Sequence, residues 1–269
     1  MIVTARLSCA AAALAALLAA GPAAAGSTWD SIRTEVWGSR PIQSGAGVVT
    51  IKAPTRPDDQ RAVPVAIEAQ LADGRSIKAV SFIVDENPSP VAAVFHFAQQ
   101  RERVALSAKF RFNAQTDVRA VVEASDGQLY MVSQNVRFAG GQAACSAPPA
   151  GDPKEIAESM GRMQLADIPE KTAATQINRR VRLDVSHPNH TGMVLDQQTL
   201  LYTPLLIVSR LEVREGAEPV MTMDGSITLA QNPSIEFDYK LNGADKLTVQ
   251  MQDSGGGAWE KTFPIGPAS

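Results

Sequence analysis

Between residues 48 and 138 the chain alternates apolar and polar positions in short runs. VVTIKA, AVPVAIEAQ, SIKAVSFIVD, VAAVFHF, RVALSAKFRF, VRAVVEA and LYMVSQNVRF each follow a period close to two. That is the period of a half-buried strand, whose successive side chains point to opposite faces. Turn formers at Ala72-Asp73-Gly74, Glu86-Asn87-Pro88 and Ser125-Asp126-Gly127 separate the runs. About seven strands at roughly ten-residue spacing predict an antiparallel β-sandwich.

The same rhythm returns in RRVRLDV, TPLLIVSRLEVRE, PVMTMDG, SITLA, SIEFDYK, KLTVQMQ and AWEKTFPI. Turns are expected at Asn232-Pro233, Asn242-Gly243 and Asp253-Ser254-Gly255-Gly256. A second sandwich of about a hundred residues follows from this pattern. The predicted fold class is all-β: two immunoglobulin-like antiparallel β-sandwich domains in tandem.

Two stretches break the alternation. STWDSIRTEVW reads as a short N-terminal helix, capped by Ser27 or Thr28, with Trp29, Ile32 and Val36 at helical spacing. Residues 139–177 begin with small, glycine- and proline-rich sequence and then offer a linker helix. Asp152 is its expected N-cap, Pro153 its first residue and Glu155 the partner in a capping-box-like arrangement. Ile156, Met160 and Met163 would share its apolar face.

The first residues place the chain in a compartment. One cation, Arg6, precedes an alanine- and leucine-rich run too short to span a bilayer. Gly21 and Pro22 break that run, and Ala23-Ala24-Ala25 offers a signal-peptide cleavage pattern. Export with cleavage after Ala25 is expected, giving a periplasmic protein with no membrane insertion. A net charge of −3 argues against a nucleic-acid partner, which usually demands a basic face.

Cysteine usage adds more. Of the two cysteines, Cys9 leaves with the signal, so Cys145 stands alone. Exported proteins normally pair their cysteines, and an odd one suggests a reactive thiol or an intermolecular disulfide. Cys145 lies in GGQAACSAPP, where Gly140 and Gly141 form an expected flexible loop. Its small neighbours promise the thiol access, one of the two requirements for thiolate reactivity. Pro148 and Pro149 then stiffen the exit. Local sequence leaves a working sulfur and an incidental one equally open.

Catalytic machinery is hard to find. No GxSxG, P-loop or dinucleotide fingerprint occurs, and three histidines supply few bases. His96 alternates with Phe95 and Phe97, which predicts an outward-facing strand residue. His187 and His190 in SHPNHTGM are weak candidates for metal ligands, and a turn that fixes the loop is the stronger reading. Met221 and Met223 could attract Cu(I), yet at period two they are expected to fill the core. No metal site and no cofactor are therefore predicted.

These segments together resemble a fused SoxY–SoxZ protein, of the SoxYZ-like carrier group associated with quinoprotein dehydrogenases. The SoxY-like part covers RAVPVAIEAQ, SIKAVSFIVDENPSPVAAVFHF and TDVRAVVEASDGQLYMVSQNVRFAGG, ending in the cysteine motif. The SoxZ-like part carries SHPNHTGM, TPLLIVSRLEV, QNPSIEF and LTVQMQDSGGGAW. SHPNHTGM is comparable to the HPMETG-like loop of SoxZ at His187, Pro188, Thr191, Gly192 and Met193, and departs from it at His190. Four segments are expected: a signal peptide (1–25), a SoxY-like sandwich (26–145), a linker with a short helix (146–175) and a SoxZ-like sandwich (176–269).

The resemblance implies a non-enzymatic carrier for sulfur oxidation, including thiosulfate oxidation. In SoxY a cysteine in a GGCGG tail swings between partner enzymes and carries sulfur covalently. Cys145 is the corresponding attachment residue, although its glycines lie only upstream and it is tethered on both sides. Implied partners are periplasmic redox proteins, a quinoprotein dehydrogenase and a c-type cytochrome. The alternative implied role is a non-covalent accessory module for such a dehydrogenase, with Cys145 incidental.

Overall fold

The computed structural model describes residues 27–138, 140, 142–169 and 178–266. The expected signal segment (1–25) and Gly141 lie outside the described residues. The chain divides into a leading unit that ends at Gly38 and a body that begins at Ser39. In the leading unit, helix α1 (Ser27–Trp37) is the expected N-terminal helix, and the rings of Trp29 and Trp37 lie 6.0 Å apart along it. Gly38, at φ 62°, closes it by donating its N–H to the Thr34 carbonyl at 2.9 Å.

The body is all-β, as the alternation predicts. Its first half supplies β1 (Ile42–Ser44), β2 (Val49–Lys52), β3 (Val63–Gln70), β4 (Ile77–Val84), β5 (Val91–Phe97), β6 (Arg103–Phe110), β7 (Thr116–Ala124) and β8 (Leu129–Val136). Its second half supplies β9 (Met163–Asp167), β10 (Asn178–Val185), β11 (Val208–Glu215), β12 (Glu218–Gly225), β13 (Ser234–Lys240), β14 (Lys246–Asp253) and β15 (Ala258–Pro264). Strict alternation is clearest in β3, where Val63, Val65, Ile67 and Ala69 are buried and Pro64, Glu68 and Gln70 are exposed.

The two halves do not stop at their own edges. Among the described residues one sheet runs β1-β8-β7-β4-β5-β12-β11-β14-β15, and the other runs β2-β3-β6-β13-β10-β9. β5 pairs with β12 in antiparallel register from Phe97 opposite Met221 to Ala93 opposite Gly225. β6 pairs with β13 around Ala108 opposite Ile235. Each layer therefore continues from one half into the other, and the edge strands left at the join cover each other's unpaired backbone groups. A single apolar cluster follows the two sheets, with Phe82 packed edge-on against Phe95 and tilted against Phe110.

Met221 and Met223 are buried in that core, opposite Phe97 and Phe95, as expected. His96 faces outward and lies 3.4 Å from Asp224 Oδ2. Two expectations are corrected. SITLA is not a strand: Leu229 makes one bridge to Phe110, and the segment is a buried crossing between the two sheets. Met163 does not share the linker helix, because α2 (Pro153–Ser159) is a short helix and Met163 opens β9. Gly161 turns the chain between them, and a Cβ there would collide with the indole of Trp259. Asp152 caps α2 as predicted, accepting the N–H groups of Lys154 at 2.8 Å and Glu155 at 3.3 Å.

Candidate functional site

After β8 the chain passes Gly140, whose φ of 93° suits only glycine without strain, and enters a single 3-10 turn, Ala144–Ser146. Cys145 sits in this turn and is fully buried, at 0% exposure. This corrects the expected access. Small neighbours do not leave the thiol open; they let the turn sink against two other segments.

Those segments hold the turn by its backbone. The Asn113 side-chain oxygen, just beyond β6, accepts the Cys145 N–H at 2.7 Å. From the loop between β10 and β11, the Thr191 hydroxyl donates to the Cys145 carbonyl and accepts the Met193 N–H at 3.1 Å. Gln142 reaches across the turn to the Ser146 carbonyl at 3.0 Å. The first half of the chain thus contributes the cysteine, and the second half contributes part of its clasp.

Burial pushes the Cys145 thiol up to about 11, against weaker downward pulls from Arg111 and Asn113. At neutral pH the resting sulfur is therefore a protonated thiol, a poor nucleophile. Arg111 is itself 5% exposed. Its guanidinium donates to the carbonyls of Ile227, Leu229 and Pro188, and burial lowers its pKa to about 10.

The SHPNHTGM loop is built around Asn189, fully buried and at φ 49°. Its side chain donates to the Leu229 and Ser226 carbonyls and accepts the Val208 N–H at 2.8 Å. His187 Nδ1 accepts the Asn189 N–H at 3.1 Å, and its Nε2 lies 3.5 Å from Asp253 Oδ2. With Nδ1 accepting, the ring proton belongs on Nε2, facing the carboxylate. Burial lowers the pKa of His187 more than Asp253 raises it. Both His187 nitrogens are engaged in holding the loop. His190 lies nearby with Nδ1 buried and without a hydrogen-bond partner, and burial and Arg111 both lower its pKa. Among the described residues no cluster of three histidine, cysteine or acidic side chains could hold a metal ion.

Two cavities flank the cysteine segment. One of about 910 Å³ is lined by Gln142, Ser146, Pro148, Ile156, His190 and Leu206, among others. A smaller one of about 210 Å³ includes Arg61, Arg111, Ala144, Ala147 and Gln231 in its walls. Beside the larger cavity the β10–β11 loop exposes Leu200 at 70%, Leu201 at 68% and Tyr202 at 65%.

Of the predicted site residues, Cys145 is met by the β10–β11 loop that carries His187 and His190, through Thr191, but the three side chains form no metal-binding cluster. Arg111, Asn113 and Asn189 were not singled out from the sequence. Arg111 carried one signal, a cation inside the apolar run RVALSAKFRF. Replacing Thr191 by valine keeps its shape and removes the hydroxyl that clasps the turn. A hydrogen bond contributes about 1 kcal/mol, so opening of the turn should become about 5-fold more frequent. Labelling of Cys145 by a neutral maleimide should accelerate by that factor; an unchanged rate would show that the clasp does not limit exposure.

Comparison with known proteins divides the chain at the same point. The model of the sulfur oxidation protein SoxY matches residues 33–143, and that of the sulphur oxidation protein SoxZ matches residues 168–264. The SoxY match stops just short of Cys145. No curated protein matches the chain in sequence. Among solved structures, the sulfur carrier protein SoxY from Chlorobium limicola f thiosulfatophilum aligns at 27% identity and a TM-score of 0.36, covering 42% of this chain and 92% of that one. A β-glycosidase from Bacteroides vulgatus aligns at 10% identity and a TM-score of 0.24, over 85% of this chain but 25% of the enzyme.

Proposed function

The chain joins a SoxY domain to a SoxZ domain, and from that premise we propose that it is a periplasmic carrier rather than an enzyme. It holds a sulfur-containing or other small group covalently on Cys145 and presents it to redox partners, among them a quinoprotein dehydrogenase and a c-type cytochrome. The observation that carries this reading is the placement of Cys145, the one thiol among the described residues, where the SoxZ-side loop closes on the end of the SoxY-side sandwich. Thr191 and Asn113 grip the backbone of Cys145.

The carrier works in two states. In the resting state the thiol is buried and protonated, which protects it from oxidation and stray disulfides. In the presenting state the segment after Gly140 lifts away from Thr191 and Asn113, and the sulfur meets solvent or a partner. Tethering at both ends limits its reach, so the partner must come to the protein. The exposed Leu200, Leu201 and Tyr202 beside the larger cavity suit such contact, since contiguous apolar surface commonly marks an interaction site.

The test is isotopic. Cells are supplied with radiolabelled thiosulfate, and the protein is recovered without reductant. Label that dithiothreitol releases from the wild type and that is missing from Cys145→Ser supports the carrier; equal labelling of the two proteins defeats it.

The full burial of Cys145 favours one second reading, the accessory module that binds a quinoprotein dehydrogenase without using the thiol. On that reading co-purification with the dehydrogenase survives Cys145→Ala. Its loss in that variant counts against the module.

A further inference from the structure

Other arginines with little exposed side chain in this protein come with a carboxylate. Arg101 pairs with Asp238 at 2.6 Å, and Arg119 with Asp85 at 2.7 Å. Arg111 is as buried as Arg101, yet among the described residues no carboxylate lies within ion-pair distance of it. Its N–H groups end on the carbonyls of Ile227, Leu229 and Pro188. Those dipoles fix its direction but leave its net charge uncompensated, and an uncompensated buried charge is costly.

The nearby titratable groups do not remove that charge. Arg61, in the wall of the same small cavity, is already engaged by Asp59 at 3.0 Å. His190 is held towards its neutral form. Cys145 is close enough for its charge and that of Arg111 to act on each other, but as a thiol it carries none. Ala144 and Ala147, on either side of the cysteine, share the cavity of about 210 Å³ with Arg111. The acidic residue in the cavity wall, Asp59, is taken up by Arg61, so among the described residues Arg111 stands beside the cysteine turn with open space and no carboxylate of its own.

We infer that Arg111 is the positioning residue that makes Cys145 selective for a negatively charged group, serving as counter-ion to an anion carried on or approaching Sγ. This rests on the carrier reading and narrows it to cargo that ends in an anion. A neutral adduct would leave Arg111 as uncompensated as the free thiol does. An anionic one supplies the missing charge inside a site where water screens little.

Two thiosulfonate reagents of opposite charge and the same chemistry test this on purified full-length protein: 2-sulfonatoethyl methanethiosulfonate and 2-(trimethylammonium)ethyl methanethiosulfonate. In each, Cys145 Sγ gives its proton to water and attacks the sulfenyl sulfur. A disulfide forms as the S–S bond of the reagent breaks, and methanesulfinate leaves with the electron pair. Rates are followed by intact mass and normalised to 2-mercaptoethanol. The wild type should favour the anionic reagent by about 10-fold, as expected for a charge at short range in a partly screened site. The overall charge of −3 favours the cationic reagent, so such a preference must be local.

Arg111→Gln should abolish the preference and Arg111→Lys should keep most of it. A wild-type ratio of one or below overturns the inference without recourse to any variant. An Arg111→Gln protein that folds and keeps the wild-type ratio overturns it as well. A selective thiol that carries no label in cells would sink the carrier reading alone; an unselective thiol that does carry label would sink this inference alone.

Discussion

Replacing Asp238 by alanine is expected to lower stability by about 3–5 kcal/mol, the cost of stranding a buried charge. Asp238 lies on β13 in the second half, and Arg101 lies between β5 and β6 in the first. Their side chains are 6% and 5% exposed and meet at 2.6 Å. Arg101 also donates to the Asp238 backbone carbonyl, and Asp238 Oδ1 accepts the Ala105 N–H at 2.8 Å. Losing the carboxylate leaves the guanidinium charge without its counter-ion and the Ala105 amide without its acceptor at the join between the halves. Removing both partners, as in Arg101→Met with Asp238→Leu, should recover most of the loss, because the desolvation cost disappears with the charges. Urea denaturation reads both numbers from the midpoint. A cost below about 1 kcal/mol, the range of exposed pairs, would mean that the join is open in solution.

Alkali should act through Cys145. The folded state holds its thiol near 11, above the ordinary range of about 8.5–9. A raised pKa means that the folded state prefers the proton. Its contribution is therefore complete below the ordinary value and is lost as pH climbs towards 11. Between pH 8 and pH 11 the wild type should lose about 2 kcal/mol relative to Cys145→Ala, in which every other group titrates as before. Denaturation of the pair at both pH values measures the difference. A constant gap would show that the sulfur is solvated in the native protein.

β3 was legible because it has one wet face. Val63, Val65, Ile67 and Ala69 announce β3 by alternation alone, whereas β4 is buried on both faces from Ala79 to Val84 and is legible as a short apolar run. SITLA alternates too, yet it is buried on all sides at Thr228, Leu229 and Ala230, because it crosses from one sheet to the other. A local period cannot distinguish that crossing from a strand. β9 was missed for the opposite reason: it is short, and its register against β10 comes from pairing with a distant segment.

The site was legible in its chemistry but not in its exposure. Cys145 stood out by count, and His187 and His190 by spacing. Whether the thiol is open depends on Asn113 and on Thr191, which approach it from different halves of the chain. Glycines and alanines around a cysteine are compatible with a mobile arm and with a tightly seated turn, since both need small side chains. Only the tertiary contacts separate them. That Arg111 has no acidic partner among the described residues is likewise invisible in sequence, where acidic residues outnumber basic ones.

The central claim is that Cys145 carries cargo covalently. Intact-mass and peptide mass spectrometry of protein isolated from its native cells, with free thiols blocked at lysis, tests it most directly. The account predicts an adduct on Cys145 that reductant removes and that ends in an anionic group. A blocked, unmodified thiol under every growth condition would contradict it.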